Sequence, residues 1–177
     1  MLIDSVNSNL VLTKNECDNL IAQALKKPLT EAQIYHKDGL SQNANVRSVK
    51  GTDVTNEALR QFVMQLFKKM NPLQLDISGV EPIQLFKYET GDHYGWHTDW
   101  SPVNNKKRKL SMTIQLSESD SYTGGDLEIL DAPVSRIVEK NIGFATVFPA
   151  WAVHRVRPIE SGIRWSLVAW ATGKPLK

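Results

Sequence analysis

From Pro82 onward the sequence is a series of short segments rich in β-branched and aromatic residues, each bounded by turn-forming residues. Strands of this length with glycine-containing turns between them are typical of an antiparallel sandwich or barrel. The predicted strands are 83–88, 109–117, 126–130, 144–148, 151–157 and 164–171. The turn signals are Glu89-Thr90-Gly91, Thr123-Gly124-Gly125, Asn141-Ile142-Gly143 and Ser161-Gly162. The second half of the chain is therefore predicted to consist of sheet.

The part of the chain before these strands begins with a predicted helix. Thr13 and Glu16 fit a capping box at the start of a helix over 14–27, and Pro28 ends it. One helical face would carry the apolar residues Cys17, Leu20, Ile21 and Leu25. This spacing predicts a helix that packs one side against a core.

A second helix is predicted after Thr55, which would cap it, and Asn71-Pro72 ends it. Its apolar stripe consists of Leu59, Phe62, Val63, Leu66, Phe67 and Met70. Between the two helices, residues 36–54 are polar and poorly periodic, so they are predicted to form a loop with one strand around Val46–Val49.

Helices followed by strands predict an α+β fold, with a mainly helical flank over 1–80 and a sheet core over 81–171. A chain of 177 residues suits one domain. With 41% hydrophobic and 23% charged residues, it can bury a core, which argues against a disordered chain. The formal net charge of +2 is too close to neutral to indicate a nucleic-acid partner.

The single cysteine, Cys17, cannot form an internal disulfide, which favours a reducing compartment. The first residues lack a basic region followed by a long apolar run, so we expect no secretory signal. The apolar runs elsewhere are too short to cross a bilayer. We therefore expect a soluble, cytoplasmic protein without a membrane partner.

Two of the four histidines stand in a pattern that indicates metal chemistry. His97 and Asp99 share one face if their segment is extended, and His154 follows later in the chain. Two imidazoles and one carboxylate form the facial triad of non-haem Fe(II) oxygenases. Arg164 lies among apolar strand residues and needs an anionic partner there, because an unpaired buried charge is costly. Ser166 would share its face.

The ordered set of motifs resembles the Fe(II)- and 2-oxoglutarate-dependent dioxygenases, and most closely the prolyl 4-hydroxylase-like branch with its small microbial, PKHD-type members. The likeness covers 83–171. The motifs that carry it are Tyr88-Glu-Thr-Gly91, Tyr94-Gly-Trp-His97-Thr-Asp99, Gly124-Gly125-Asp126-Leu127, Phe148-Pro149, and His154 followed by Arg164.

The resemblance implies a double-stranded β-helix, or jelly roll, with Fe(II) held by His97, Asp99 and His154. It further implies that Arg164 binds the distal carboxylate of 2-oxoglutarate. The other residues assigned to that co-substrate pocket are Tyr88, Ser166 and Gln115. Gln115 departs from the pattern, because relatives often have tyrosine at its position. The residues assigned to the substrate side are Trp100 and Tyr94.

In this family dioxygen oxidises 2-oxoglutarate to succinate and carbon dioxide while a C–H bond of the substrate is hydroxylated. Ascorbate is a further cofactor that the resemblance allows. The first hypothesis is a hydroxylase of prolyl or other residues in a peptide or protein. The alternatives are an oxygenase of a free small molecule, an oxygenase of a modified nucleic-acid base and a non-catalytic jelly-roll module. Trp170 stands where the nucleic-acid enzymes have a second arginine, which disfavours that alternative.

A basic run, Lys106-Lys107-Arg108-Lys109, follows the metal motif. Runs of this kind are usually solvated turns, and we predict one here. Its position also allows a role in steering an acidic or extended substrate.

Overall fold

The computed structural model describes residues 5–32, 34–36, 39–41, 43, 45–100, 107–131 and 133–174. Within these ranges the chain forms two helices, α1 (Lys14–Ala24) and α2 (Glu57–Lys69). The strands of the first half are β1 (Asn7–Leu10), β2 (Thr30–Glu31), β3 (Ile34–His36), β4 (Gly39–Ser41), β5 (Arg47–Ser48), β6 (Lys50–Asp53), β7 (Gly79–Val80) and β8 (Gln84–Tyr88). The later strands are β9 (His93–His97), β10 (Arg108–Gln115), β11 (Tyr122–Gly124), β12 (Leu127–Asp131), β13 (Val134–Ile137), β14 (Phe144–Pro149), β15 (His154–Val156), β16 (Ile159–Gly162) and β17 (Arg164–Thr172).

Two antiparallel sheets form the body of the protein. The larger has the order β1-β14-β10-β17-β8-β6-β2, with β7 beside β17, and the smaller has the order β13-β12-β15-β9-β5. One apolar cluster joins the inner faces of the two sheets through residues such as Phe86, Phe148, Ile129 and Val156. This arrangement confirms the predicted α+β fold with a jelly-roll core.

A second apolar cluster packs the two helices on the outer face of the larger sheet. Val63 and Phe67 of α2 and Cys17 of α1 are fully buried there, against sheet residues such as Met112 and Leu167. The helices therefore cover one face of the larger sheet, and the opposite face is left to form the interior of the jelly roll.

The first 80 residues contain less helix than predicted, because short strands extend both sheets. In the larger sheet, β1 lies beside β14 at one end, and β6 and β2 extend the other end beyond β8. In the smaller sheet, β5 is the outermost strand beside β9. These strands have two to four residues. Such short segments carry almost no period of their own, so their state is decided by the neighbouring strand.

Both predicted helices are present, but their ends differ from the predictions. At α1 the capping box of Thr13 and Glu16 is confirmed, and the helix ends at Ala24 rather than at residue 27. At α2 the cap is Asn56, whose Oδ1 accepts from Leu59 N at 2.9 Å, so the prediction of Thr55 was wrong. The Thr55 hydroxyl instead accepts from Ile83 N at 2.6 Å, which ties the chain before α2 to the segment that enters β8.

We expect Asn56→Ala to lower the free energy of unfolding by about 1 kcal/mol, because the helix loses its N-terminal cap. Chemical denaturation of the apo protein measures this change. Gln61→Ala is the matched control, because Gln61 lies on α2 and its side chain bonds only to the exposed Glu57 within the described structure. Equal stability of the two variants would contradict the assignment of the cap.

The basic run is only partly a solvated turn. Lys106 lies outside the described residues, whereas Arg108 and Lys109 belong to β10, and Lys109 is only 2% exposed. The pairing of β10 with β17 is irregular between Arg108 and Leu110. Such a bulge changes the direction in which the following or preceding side chain points. The charge pattern alone could not reveal this, because a bulge is a property of the paired strands.

No helix in the described part of the chain is long and apolar enough to cross a membrane.

Candidate metal centre and cavity

Three side chains from two adjoining strands and the turn after one of them converge at the interior of the jelly roll. His97 of β9 and His154 of β15 are directly opposite each other in the antiparallel pair. Asp99 follows β9, and its backbone N–H donates to Ala150 O at 2.9 Å. The distances are 3.8 Å from His97 Nε2 to Asp99 Oδ1 and 3.5 Å from His154 Nε2 to Asp99 Oδ2. One ligand atom from each residue lies within 4.8 Å of the others.

In each histidine, a hydrogen bond from Nδ1 to a backbone carbonyl oxygen orients the ring, and Nε2 faces Asp99. His97 Nδ1 lies 2.8 Å from Gly95 O, and His154 Nδ1 lies 2.9 Å from Ala152 O. A carbonyl oxygen only accepts, so Nδ1 carries the proton in each ring and Nε2 presents its lone pair. This is the usual outer-shell arrangement of histidine ligands.

The charge states of these groups also suit a cation. Burial, followed by the neighbouring His154, lowers the pKa of His97 to about 3, so its imidazole is neutral at neutral pH. Burial alone would raise the pKa of Asp99, but the two neighbouring imidazoles, the Arg108 guanidinium and the hydrogen bond from Ser111 together lower it, so the carboxylate is ionised at neutral pH. Two imidazoles and one carboxylate are the donor set of an Fe(II) facial triad, so the residues fit this metal.

Hydrogen bonds and charges from the larger sheet surround the Asp99 carboxylate. Ser111 Oγ donates to Asp99 Oδ2 at 2.6 Å. Arg108 Nη1 lies 3.9 Å from Asp99 Oδ1, and both carboxylate oxygens of Glu81 accept from the same guanidinium. The Arg108 guanidinium carbon also lies 3.9 Å from the centre of the Trp170 ring. The carboxylate is therefore fixed from the β10 side.

Aromatic rings pack against the two histidines. The Tyr94 ring stacks on His97 with 3.5 Å between ring centroids, and Phe148 contacts His154 edge to face at 4.8 Å. The Arg47 guanidinium carbon lies 4.5 Å from the centroid of the Tyr94 ring and 4.7 Å from the centroid of the Phe86 ring. These contacts limit the rotation of both imidazole rings.

A cavity of about 980 Å³ opens onto the three residues. Its walls come from the inner faces of both sheets and from the strands β2 and β6 at the end of the larger sheet. The lining includes His97, Asp99, His154, Tyr88, Tyr94, Arg164, Ser166, Arg47, Arg108 and Ser111. This volume is at the upper end of the range of small-molecule sites.

Arg164 lies at the wall of this cavity and is only 1% exposed. Its Nη1 donates to Ser166 Oγ at 3.3 Å, and its Nε has no hydrogen-bond partner within the described structure. Within the same residues no carboxylate forms an ion pair with the guanidinium. A buried cation without an anionic partner is costly, so this side chain is suited to bind an anion from the cavity.

Two tyrosines adjoin the same guanidinium. Burial raises the pKa of Tyr88 and of Tyr122, and the positive charge of Arg164 opposes this rise in each case. Gly125 lies close to the Arg164 side chain and has a positive φ of 64°. A Cβ at this position would contact the side chains of Ile159 and Arg164, so glycine is needed for the close approach.

The structure places the other predicted site residues at different distances from the cavity. Tyr88, opposite Arg164 in the β8–β17 pair, lines the cavity together with Ser166 and Tyr94. Gln115 is opposite Ser166 and buried, but it is not among the lining residues, and its Oε1 has no partner within the described residues. Trp100 is half-buried and does not belong to the described lining either.

Sequence reasoning missed three polar residues that surround the triad: Ser111, Arg108 and Arg47. Ser111 occupies an alternating position on a strand that was predicted, so its direction toward the interior could have been inferred from the period of two. Arg108 could not, because its direction depends on the bulge. Arg47 could not either, because β5 has only two residues.

The model of the 2OG-Fe(II) oxygenase superfamily matches residues 83–172, just over half of the chain. A PKHD-type hydroxylase of Synechococcus sp. (strain CC9902) is 35% identical over 94 residues, which are 53% of this chain and 42% of that protein. A PKHD-type hydroxylase of Idiomarina loihiensis is 30% identical over 124 residues, which are 70% of this chain and 54% of that protein. The chain thus spans about half the length of the curated relatives it matches.

Solved structures agree with the fold. A prolyl-4-hydroxylase of Pseudomonas putida superimposes with a TM-score of 0.75 at 21% identity, over 96% of this chain and 93% of that one. A prolyl hydroxylase of Trichoplax adhaerens, in complex with a hypoxia inducible factor peptide fragment, gives a TM-score of 0.76 at 16% identity, over 96% and 84%. The family match extends from the strand before the His-Asp motif to the end of the Arg164 strand. The chain therefore belongs to the 2OG-Fe(II) oxygenase superfamily, and this membership implies Fe(II), 2-oxoglutarate and dioxygen as cofactors.

Proposed function

We propose that this protein is a dioxygenase that hydroxylates a C–H bond of a prolyl or other residue in a peptide or protein, with release of succinate and carbon dioxide. The observation that carries the proposal is one cavity that has the His97, Asp99 and His154 ligand atoms on its wall together with the buried guanidinium of Arg164. Fe(II) with 2-oxoglutarate and dioxygen supplies the oxidising power when bound.

In this proposal His97 Nε2, His154 Nε2 and the Asp99 carboxylate hold the metal. The carbonyls of Gly95 and Ala152 keep both imidazoles in the ligating tautomer. With only three protein ligands, a bound Fe(II) would remain accessible to the co-substrate and dioxygen.

Arg164 pairs with the distal carboxylate of 2-oxoglutarate in this proposal. A planar guanidinium binds a carboxylate with two hydrogen bonds, and Ser166 Oγ lies beside it to orient the fork. Tyr88 lines the cavity beside this pair. Gln115 is opposite Ser166 in the β10–β17 pair and so shares its face of the larger sheet, from which it would contribute its unpartnered Oε1 beside Ser166.

The cavity continues past the metal ligands to Thr30, Glu31 and Asp53 at the end of the larger sheet. A dicarboxylate of five carbons needs only part of this space, so the remainder is available for substrate. The similarity to the peptide-bound Trichoplax adhaerens fold supports a peptide in this part. Tyr94 lines the cavity, and Trp100 directly follows Asp99 in the chain, so we infer that both lie on the substrate side.

The formal net charge of +2 supports a peptide rather than a nucleic acid as substrate. The single cysteine cannot form an internal disulfide, which favours a reducing compartment, and we propose that the protein acts in the cytoplasm. The use of ascorbate as a further cofactor stays a prediction from the resemblance.

The test is to incubate the protein with Fe(II), 2-oxoglutarate and dioxygen, with and without a pool of proline-containing peptides. We expect the peptides to stimulate succinate release, and mass spectrometry to find one added oxygen in a subset of them. A matched pool in which alanine replaces proline separates prolyl from other residues. The Asp99→Ala variant controls for oxidation that does not depend on the site.

Succinate release without stimulation by either pool would contradict a peptide substrate and direct the search to free small molecules. The absence of any succinate release from an iron-loaded protein would contradict the oxygenase activity and leave a non-catalytic binding module.

A further inference from the structure

The Asp99 carboxylate is tied to the larger sheet by a short hydrogen bond. Ser111 Oγ donates to Asp99 Oδ2 at 2.6 Å, and Ser111 is only 1% exposed. We propose that Ser111 is a positioning residue that sets the metal affinity of the site by holding the Asp99 carboxylate in its ligating orientation. This inference rests on the metal site named in the proposed function, but it does not depend on the substrate.

The strand period explains why a hydroxyl stands at this place. Along β10, Leu110, Met112 and Ile114 are fully buried in the cluster that packs against the helices. Side chains alternate between the two faces of a strand, so Ser111 and Thr113 point to the cavity. Both belong to the cavity lining.

The backbone of Asp99 is held by Ala150, whereas its side chain is held by Ser111. The N–H groups of Asp99 and Trp100 both donate to Ala150 O at 2.9 Å, which holds the turn against the end of β14. This contact leaves the two side-chain torsions of Asp99 undetermined. Arg108 approaches the carboxylate only to 3.9 Å, and Glu81 already accepts from its Nε and Nη2. The bond from Ser111 is therefore suited to fix the side-chain torsions.

The consequence for a cation follows from preorganisation. Each carboxylate oxygen has two lone pairs, so Oδ2 can accept from Ser111 without loss of the carboxylate as a ligand. When the hydroxyl is removed, the carboxylate rotates more freely, and the metal must order it on binding. Loss of an outer-shell partner typically reduces metal affinity about 10- to 100-fold.

The experiment is calorimetric titration of the apo protein with Co²⁺, an air-stable stand-in for Fe²⁺, without 2-oxoglutarate. We expect Ser111→Ala to weaken Co²⁺ binding at least about 10-fold. Ser111→Thr keeps a hydroxyl at the same atom and is expected to stay within about threefold of the unmodified protein. Thr113→Ala is the matched control, because Thr113 is on the same strand face and loses the same hydroxyl.

The outcomes separate a positioning role from a structural one. Weak binding by Ser111→Ala, with near-normal binding by Ser111→Thr and Thr113→Ala, supports the proposal. Unchanged affinity in Ser111→Ala overturns it, as does an equal loss in Ser111→Ala and Thr113→Ala or a failure of Ser111→Thr to rescue. If Ser111→Ala does not fold, Ser111→Val takes its place, because valine has the shape of threonine without a hydroxyl and cannot bind the metal, and normal affinity in that variant overturns the proposal. No Co²⁺ binding by the unmodified protein would refute the metal site itself, whereas a missing peptide substrate would leave the result unaffected.

Discussion

Alanine in place of His97 or His154 is expected to reduce turnover below detection. The two Nε2 atoms and the Asp99 carboxylate are the proposed ligands, and their ligand atoms lie within 4.8 Å of one another. An iron held by only two of three protein ligands is lost or coordinated wrongly, and neither arrangement supports the reaction. The measurement is succinate release together with the iron content of the protein after anaerobic reconstitution and desalting.

His93→Ala is the matched control for this experiment. His93 lies at the other end of β9, and its ring nitrogens contact the backbone carbonyls of Gly91 and Asn45 at 3.2 and 3.4 Å. We expect this variant to retain iron and turnover, because its imidazole does not belong to the triad. Asp99→Ala with full activity and full iron content would contradict the assignment of the ligands.

Part of the candidate metal site could be predicted from local sequence, because its chemistry depends on residue types at strand spacing. His97 and Asp99 are two residues apart, which suffices to place them near one another. The pairing of His97 with His154 depends on the register of β9 and β15, which sequence spacing does not define. The expectation that His154 joins His97 and Asp99 came instead from the order of the motifs, which resembles a known arrangement.

The parts that were missed depend on tertiary contacts. The bulge near Lys109 arises between two paired strands, and it turns Arg108 toward the cavity and buries Lys109 beside Gly173. The exchange of Thr55 for Asn56 as cap has a similar origin, because Ile83 occupies the Thr55 hydroxyl. Thr55 and Asn56 are both suitable N-cap residues, and the contact with Ile83 decides which of them caps the helix.

Arg164→Ala is expected to raise the 2-oxoglutarate concentration needed for half-maximal turnover at least about 30-fold. Loss of one partner of a buried, hydrogen-bonded charge pair costs about 2–5 kcal/mol, which is roughly 30-fold to several thousand-fold in affinity. The adjoining Tyr88 and Tyr122 are neutral phenols, so neither can replace the charge of the guanidinium. Steady-state succinate release as a function of 2-oxoglutarate concentration measures the change.

Two further variants show whether the effect comes from the guanidinium at this position. Arg164→Lys keeps the charge but not the planar fork, so its effect should be intermediate. Arg136→Ala removes an exposed arginine on the edge strand β13 and should leave the 2-oxoglutarate dependence unchanged. Iron content should be normal in all three variants, because Arg164 is not a proposed metal ligand.

The specificity of the variant tests the role of Arg164 more sharply than its affinity does. If the guanidinium binds the distal carboxylate, then 2-oxobutanoate, which lacks that group, gains nothing from Arg164. The unmodified protein should therefore prefer 2-oxoglutarate strongly, and Arg164→Ala should reduce this preference by about the same factor by which it weakens 2-oxoglutarate, since both measure one ion pair. A variant that weakens both oxo acids equally would assign Arg164 to the shape of the cavity. A variant that keeps the original 2-oxoglutarate dependence would place the distal carboxylate elsewhere and leave the buried cation of β17 without its proposed partner.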